Sequence, residues 1–144
     1  MRLLSLLPAL LLAACAYVPA DYKAQPVDGD PKPIVERIMR EQPHDQRPQV
    51  VRVTDSFVEY GRGLETVGPD GQVSIQKKRT QRLYYSSIDE VKVLNRVSPK
   101  GHWYVVEPRA STGRTLAQVY VDQREDAEKL ADALLALKAA APVE

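Results

Sequence analysis

One cysteine in 144 residues leaves no partner for an intrachain disulfide, so the fold depends on its core alone even in an oxidising compartment. Histidine is nearly absent as well. His44 lies in a proline-flanked loop beside Asp45, and His102 lies at a hairpin edge beside Trp103. Neither belongs to a helical His pair that would ligate a metal, and both read as surface or turn residues. Glycine is sparse and misplaced for phosphate binding. Gly61-x-Gly63 is followed by Thr66 where a third glycine would be needed, and no Gly-Lys-Ser/Thr loop or Gly-x-Ser-x-Gly turn occurs. These glycines read instead as a bulge or bend in a strand. Charge of one sign is not in excess, with 20 basic against 19 acidic side chains, which argues against a general nucleic-acid or anionic-membrane binder. No apolar run is long enough to span a bilayer. The stretch from Leu3 to Val18 is interrupted by Pro8 and followed by Pro19, whereas a spanning helix needs ~20 apolar residues. No internal repeat of fixed period is present.

What the chain does have begins at its first residues. Arg2 supplies one positive charge, Leu3 to Leu12 an apolar stretch, and Ala13-Ala14 two small residues before Cys15. That order is a secretory signal. Leu12-Ala13-Ala14-Cys15 resembles the lipobox of bacterial lipoproteins. The resemblance implies cleavage between Ala14 and Cys15, three acyl chains on the new N-terminal cysteine, and a membrane anchor without a spanning segment. Ala16 after the cysteine implies sorting to the periplasmic leaflet of the outer membrane. Ala14-Cys15-Ala16 also fits ordinary signal cleavage after Ala16, which would release a soluble protein beginning at Tyr17.

Without residues 1–14 the chain keeps 19 charges of each sign, and its length suits a single domain. Residues 15–33 carry Pro19, Pro26, Pro31 and Pro33 with little apolar content, and are expected to form an extended tether after the lipidated cysteine. At ~3.1 Å per residue such a tether reaches roughly 50 Å. The domain is expected over 34–141. Ile34, Val35, Ile38 and Met39 share one stripe between Pro33 and Pro43, which predicts a short helix over 34–42.

From Gln49 the apolar period changes to two, predicting antiparallel strands within 49–121. Pro69-Asp70-Gly71, Ser98-Pro99-Lys100-Gly101 and Ala110-Ser111-Thr112-Gly113 punctuate them as turns. Ala127, Leu130, Ala131, Leu134 and Leu137 then form the apolar stripe of a helix over 123–138, with Asp122 and Glu125 placed for a capping box. The expected class is mainly β or α+β: a curved antiparallel sheet or partly open barrel of about six or seven strands, capped by the C-terminal helix. The passage from Tyr84 to Val93, and Val119-Tyr120-Val121-Asp122 leading into Asp126 to Leu134, resemble bacterial pleckstrin-homology-like domains. A plain β-sandwich, or an α+β sheet with both helices on one face, is the competing architecture.

Two clusters are candidates for contact. Lys77, Lys78, Arg79 and Arg82 are basic residues on or near a strand, suited to a phospholipid or lipopolysaccharide headgroup. They suit equally a solvated strand face that resists edge pairing. Tyr84, Tyr85, Trp103, Tyr104 and Tyr120 form a groove for a peptide or acyl chain if they face one way. Adjacent pairs such as Tyr84-Tyr85 must, however, point to opposite faces. With no catalytic constellation, no cofactor and no metal expected, the chain reads as a non-enzymatic, lipid-anchored envelope protein. Its expected partners are the membrane, through Cys15, and another envelope protein.

Overall fold

The computed structural model describes residues 16–43, 45–62, 64–67, 69–76 and 79–143. Cys15, His44, Gly63, Lys77 and Lys78 lie outside the described residues. In chain order the elements are β1 (Ala16–Pro19), α1 (Lys32–Arg40), β2 (Val50–Val53), β3 (Phe57–Gly61), β4 (Leu64–Val67), β5 (Val73–Gln76) and β6 (Thr80–Tyr84). They continue through a 3-10 turn (Tyr85–Ser87) to β7 (Glu90–Ser98), β8 (Gly101–Arg109), β9 (Val119–Val121) and α2 (Arg124–Ala140). The class is α+β. Four strands form one antiparallel sheet in the order β1-β7-β8-β9, and three form a second in the order β2-β3-β6. These seven strands make two sheets, and neither closes into a barrel. A two-stranded ribbon, β4-β5, prolongs the β3–β6 hairpin.

The ribbon changes register. Gly61 pairs with Thr80 and Leu64 with Gln76, so the register of the ribbon is offset by one residue from that of the hairpin. A one-residue offset inverts which side chains face the core. Gly61 marks the change: a Cβ there would press on the Arg79 carbonyl and sit 2.7 Å from the Thr80 Cα. The glycine is required because the backbones approach too closely for any side chain.

Both sheets turn one face inward. Val91, Val93, Val106, Val119 and Val121 from the four-stranded sheet meet the apolar stripe of α2, in which Ala127, Leu130 and Ala131 are fully buried. Val51, Val58 and Leu83 from the other sheet join Val35, Ile38 and Met39 of α1 in the same core. The helical spacing read from the sequence therefore marks the buried faces correctly, with corrections at the ends. Helix α1 starts two residues earlier than expected and stops at Arg40, because Pro33 fits its first turn and Glu41 caps it through Arg37 and Ile38 carbonyls. Helix α2 is capped by Gln123, not Asp122, and no side-chain cap forms. The expected capping box is absent because the cap falls one residue later, which puts Glu125 at the second helical position, where it pairs with Lys129 at 2.6 Å.

The larger correction concerns the expected tether. Residues 16–19 are a strand, with Ala16 opposite Val97 and Pro19 opposite Leu94, and the Ala20 amide donates to Val93 O at 2.9 Å. The Tyr22 hydroxyl and the Gln25 amide both donate to one Asp132 carboxylate oxygen on α2, at 2.7 and 2.8 Å. Arg124 donates to Asp21 O. Backbone pairing needs no apolar pattern, and an edge strand tolerates a proline, so composition concealed the docking.

Arg37 ties α1 to α2 through Asp126 at 2.8 Å, and this hydrogen bond holds the Asp126 carboxyl below its usual value of 3.8. A depressed carboxylate contributes stability that is present above the unfolded value and lost as pH falls through the folded one. Asp126→Asn is therefore expected to cost about 0.5–1 kcal/mol in denaturant unfolding near neutral pH, the pair being partly exposed. The difference from wild type should vanish at pH values below the folded carboxyl's.

Candidate interaction surface

The outer face of the three-stranded sheet is organised by one buried carboxylate. Arg52, Glu59 and Arg82 occupy one cross-strand row, and Glu59 is 6 % exposed. Arg52 Nε and Arg82 Nε each lie 3.2 Å from a different Glu59 oxygen. Both guanidiniums also lie over the Phe57 ring, at 5.3 and 4.5 Å from its centroid, and the Tyr84 ring is 5.4 Å from that of Phe57. Its hydrogen bond to the Tyr84 hydroxyl, then that to Glu59, raises the Arg82 pKa further. Two cations sharing one carboxylate leave a net positive, aromatic patch.

The expected basic cluster does not come together among the described residues. Arg82 is held by Glu59, whereas Arg79 lines a cleft of about 220 Å³ with Tyr60, Arg62, Gln81 and Gln118. Lys77 and Lys78 lie outside the described residues.

The five candidate aromatics do not form one groove. Tyr84 stands on the outer face of the three-stranded sheet and is 43 % exposed, while Tyr85 is fully buried in the core. Tyr104 packs against the core from β8. Only Trp103 and Tyr120 share a face of the four-stranded sheet, because Trp103 pairs with Arg96 and Tyr120 with Val105, two residues further along β8.

There they meet residues that the sequence reading did not single out. The Arg96 guanidinium lies 5.7, 5.8 and 5.5 Å from the ring centroids of Tyr17, Trp103 and Tyr120. Burial, then a hydrogen bond with Tyr17, pushes the Tyr120 hydroxyl's pKa up. A cleft of about 260 Å³ opens beside this cage, lined by Gln46, Arg96, Ser98, Lys100, Trp103 and Tyr120, with Asp45 reaching it from the loop after α1. Cross-strand pairing places Trp103 beside Arg96, whereas Tyr17 joins them from a segment whose composition suggests a tether. His102 lies in β8 opposite Val97 and is exposed, with its ring against Asn95.

No group of three or more His, Cys, Asp or Glu capable of holding a metal ion occurs among the described residues. No family model, curated protein or solved structure matches the chain.

The Tyr85 hydroxyl is buried with no hydrogen-bond partner among the described residues, and burial raises its pKa. An unsatisfied buried hydroxyl costs about 1–3 kcal/mol. Tyr85→Phe keeps the ring and removes the penalty, so the variant should unfold at equal or higher denaturant concentration than wild type. A clear loss of stability would reveal a partner for the hydroxyl.

Proposed function

We propose that this chain is a non-enzymatic envelope lipoprotein, anchored through acylated Cys15, whose α+β domain binds a partner protein at the membrane. The observation that carries the reading is the lipobox-like Leu12-Ala13-Ala14-Cys15 placed immediately before β1. Cleavage between Ala14 and Cys15 leaves β1 whole. Cleavage after Ala16 would sever that strand from its first pair with Val97, which disfavours the soluble alternative. Ala16 after the cysteine supports the periplasmic leaflet of the outer membrane as the destination.

The pleckstrin-homology-like reading of the domain rests on the sequence resemblance and on the C-terminal helix over the core; β1 and α1 precede the strands to which that resemblance applies. Its partner surface is the exposed Tyr84 with Phe57, Arg52 and Arg82, on the outer face of a sheet in which β6, with β2, is an edge strand. Tyrosine and arginine dominate protein-binding hot spots, and an open edge accepts an added strand. Headgroup binding through Lys77, Lys78, Arg79 and Arg82 is the weaker reading, because Arg82 is engaged by Glu59.

The intact mass of membrane-extracted protein should correspond to residues 15–144 plus three acyl chains. Cys15→Ala should release the protein from the membrane fraction. A species beginning at Tyr17, or identical fractionation of wild type and Cys15→Ala, contradicts the anchor. In cells, Tyr84→Ala should weaken cross-linking to a single envelope protein by about tenfold if this tyrosine is a hot spot.

A further inference from the structure

Three of the five large hydrophobic side chains exposed among the described residues lie at one end of the four-stranded sheet. They are Tyr17, Val18 and Val97, at 43, 53 and 53 % exposure. Val97 is paired with Ala16, and Tyr17 shares a cross-strand row with Arg96 and Trp103. The same end carries the Pro99-Lys100 turn between β7 and β8. No acidic residue occurs in 16–20 or 95–106, whereas Arg96 and Lys100 are basic; the one carboxylate lining the cleft between them is Asp45, from the loop after α1. Cys15 is covalently next to Ala16, one residue step of ~3.8 Å away.

Resting on the anchor reading above, we infer that this pole lies against the bilayer, with the β7–β8 turn in the headgroup layer of an anionic phospholipid surface. With β1 docked, no slack remains between acylated Cys15 and the sheet, so the acyl chains and the Ala16 end of β1 enter the membrane surface together. The composition of the pole suits that position. Tyrosine and tryptophan partition to the membrane interface, and arginine and lysine meet lipid phosphates there. Arg96 holds both Tyr17 and Trp103, fixing the pole to the anchored strand. The opposite end follows from the length of β7: nine residues at ~3.4 Å place Glu90 roughly 27 Å from the membrane-facing pole, and Tyr84 leads into that end of β7 through the 3-10 turn Tyr85–Ser87. The Tyr84 surface is thereby presented away from the lipid, toward a partner.

Trp103 is the chain's only tryptophan, so its fluorescence reports this pole without labelling. The acylated protein, its modification checked by intact mass, is reconstituted into phosphatidylethanolamine–phosphatidylglycerol vesicles with or without bromine near the headgroup end of the acyl chains. Bromine is expected to at least halve Trp103 emission, and Lys100→Glu to weaken that quenching. In a Trp103→Phe background, Tyr84→Trp should give emission that ignores bromine. An acylated protein that sediments with the vesicles while Trp103 ignores bromine, or while a tryptophan at 84 is quenched as strongly, overturns the orientation. Absence of the acyl mass overturns the anchor instead. In that case Cys15, the only cysteine, is coupled to a maleimide phospholipid in the same vesicles, and Trp103 quenching decides the orientation independently.

Discussion

The ladder between β1 and β7 is the constraint on which the rest of the arrangement depends. Four residue pairs, continued by the Ala20 amide on Val93 O, convert a proline-containing leader into the edge of the larger sheet. The pairing satisfies one side of β7, whose other side pairs with β8. It also brings Tyr17 over Arg96 and leads Tyr22 and Gln25 to Asp132 on α2. A single short strand thus connects the sequence next to Cys15 with the sheet, the aromatic cage and the closing helix. If the segment were detached, the Arg96 cage would lose a ring and Asp132 both of these donors.

Each sheet solves a similar problem on its outer face. Glu59 and Glu107 are almost fully buried, at 6 and 4 % exposure, and burying a lone carboxylate is costly. Glu59 is held by Arg52 and Arg82. Glu107 is held by Arg109 at 2.6 Å and by the Gln118 amide at 2.7 Å. In both cases long cationic side chains lie over the sheet and shield it while their charged ends remain partly in water. These faces are therefore specific in geometry without being closed, which suits recognition better than additional core packing would.

Much of the fold was legible where burial imposes a period. The α2 stripe, the α1 stripe, and the β7–β8 hairpin around Pro99-Lys100 follow from side-chain alternation and turn chemistry. Gly71 and Gly113 take the positive φ, 78 and 83°, that their turns require. Elements held by backbone or by single polar contacts were not legible. β1 has no alternation to betray it. Gln42 looked like the end of α1, yet its buried side chain leaves the helix to accept the Tyr120 amide at the edge of β9. Sequence adjacency ignores strand faces: of the two cluster residues described, Arg82 belongs to the row of Glu59 and Arg79 to a separate cleft. The aromatics scattered for the same reason, and the surviving pair, Trp103 and Tyr120, gained its meaning from an arginine and a tyrosine far apart in sequence.

The docking of β1 is the central claim, and amide hydrogen exchange tests it most directly. The Ala20 amide, bonded to Val93 O, and the Gln25 amide, bonded to Asp132, should both exchange far more slowly than an unstructured chain. Asp132→Ala should accelerate Gln25 while leaving Ala20 protected. Exchange throughout 16–25 at unstructured rates, with β7, β8 and α2 still protected, would contradict the account and return this segment to the free tether that its composition suggests.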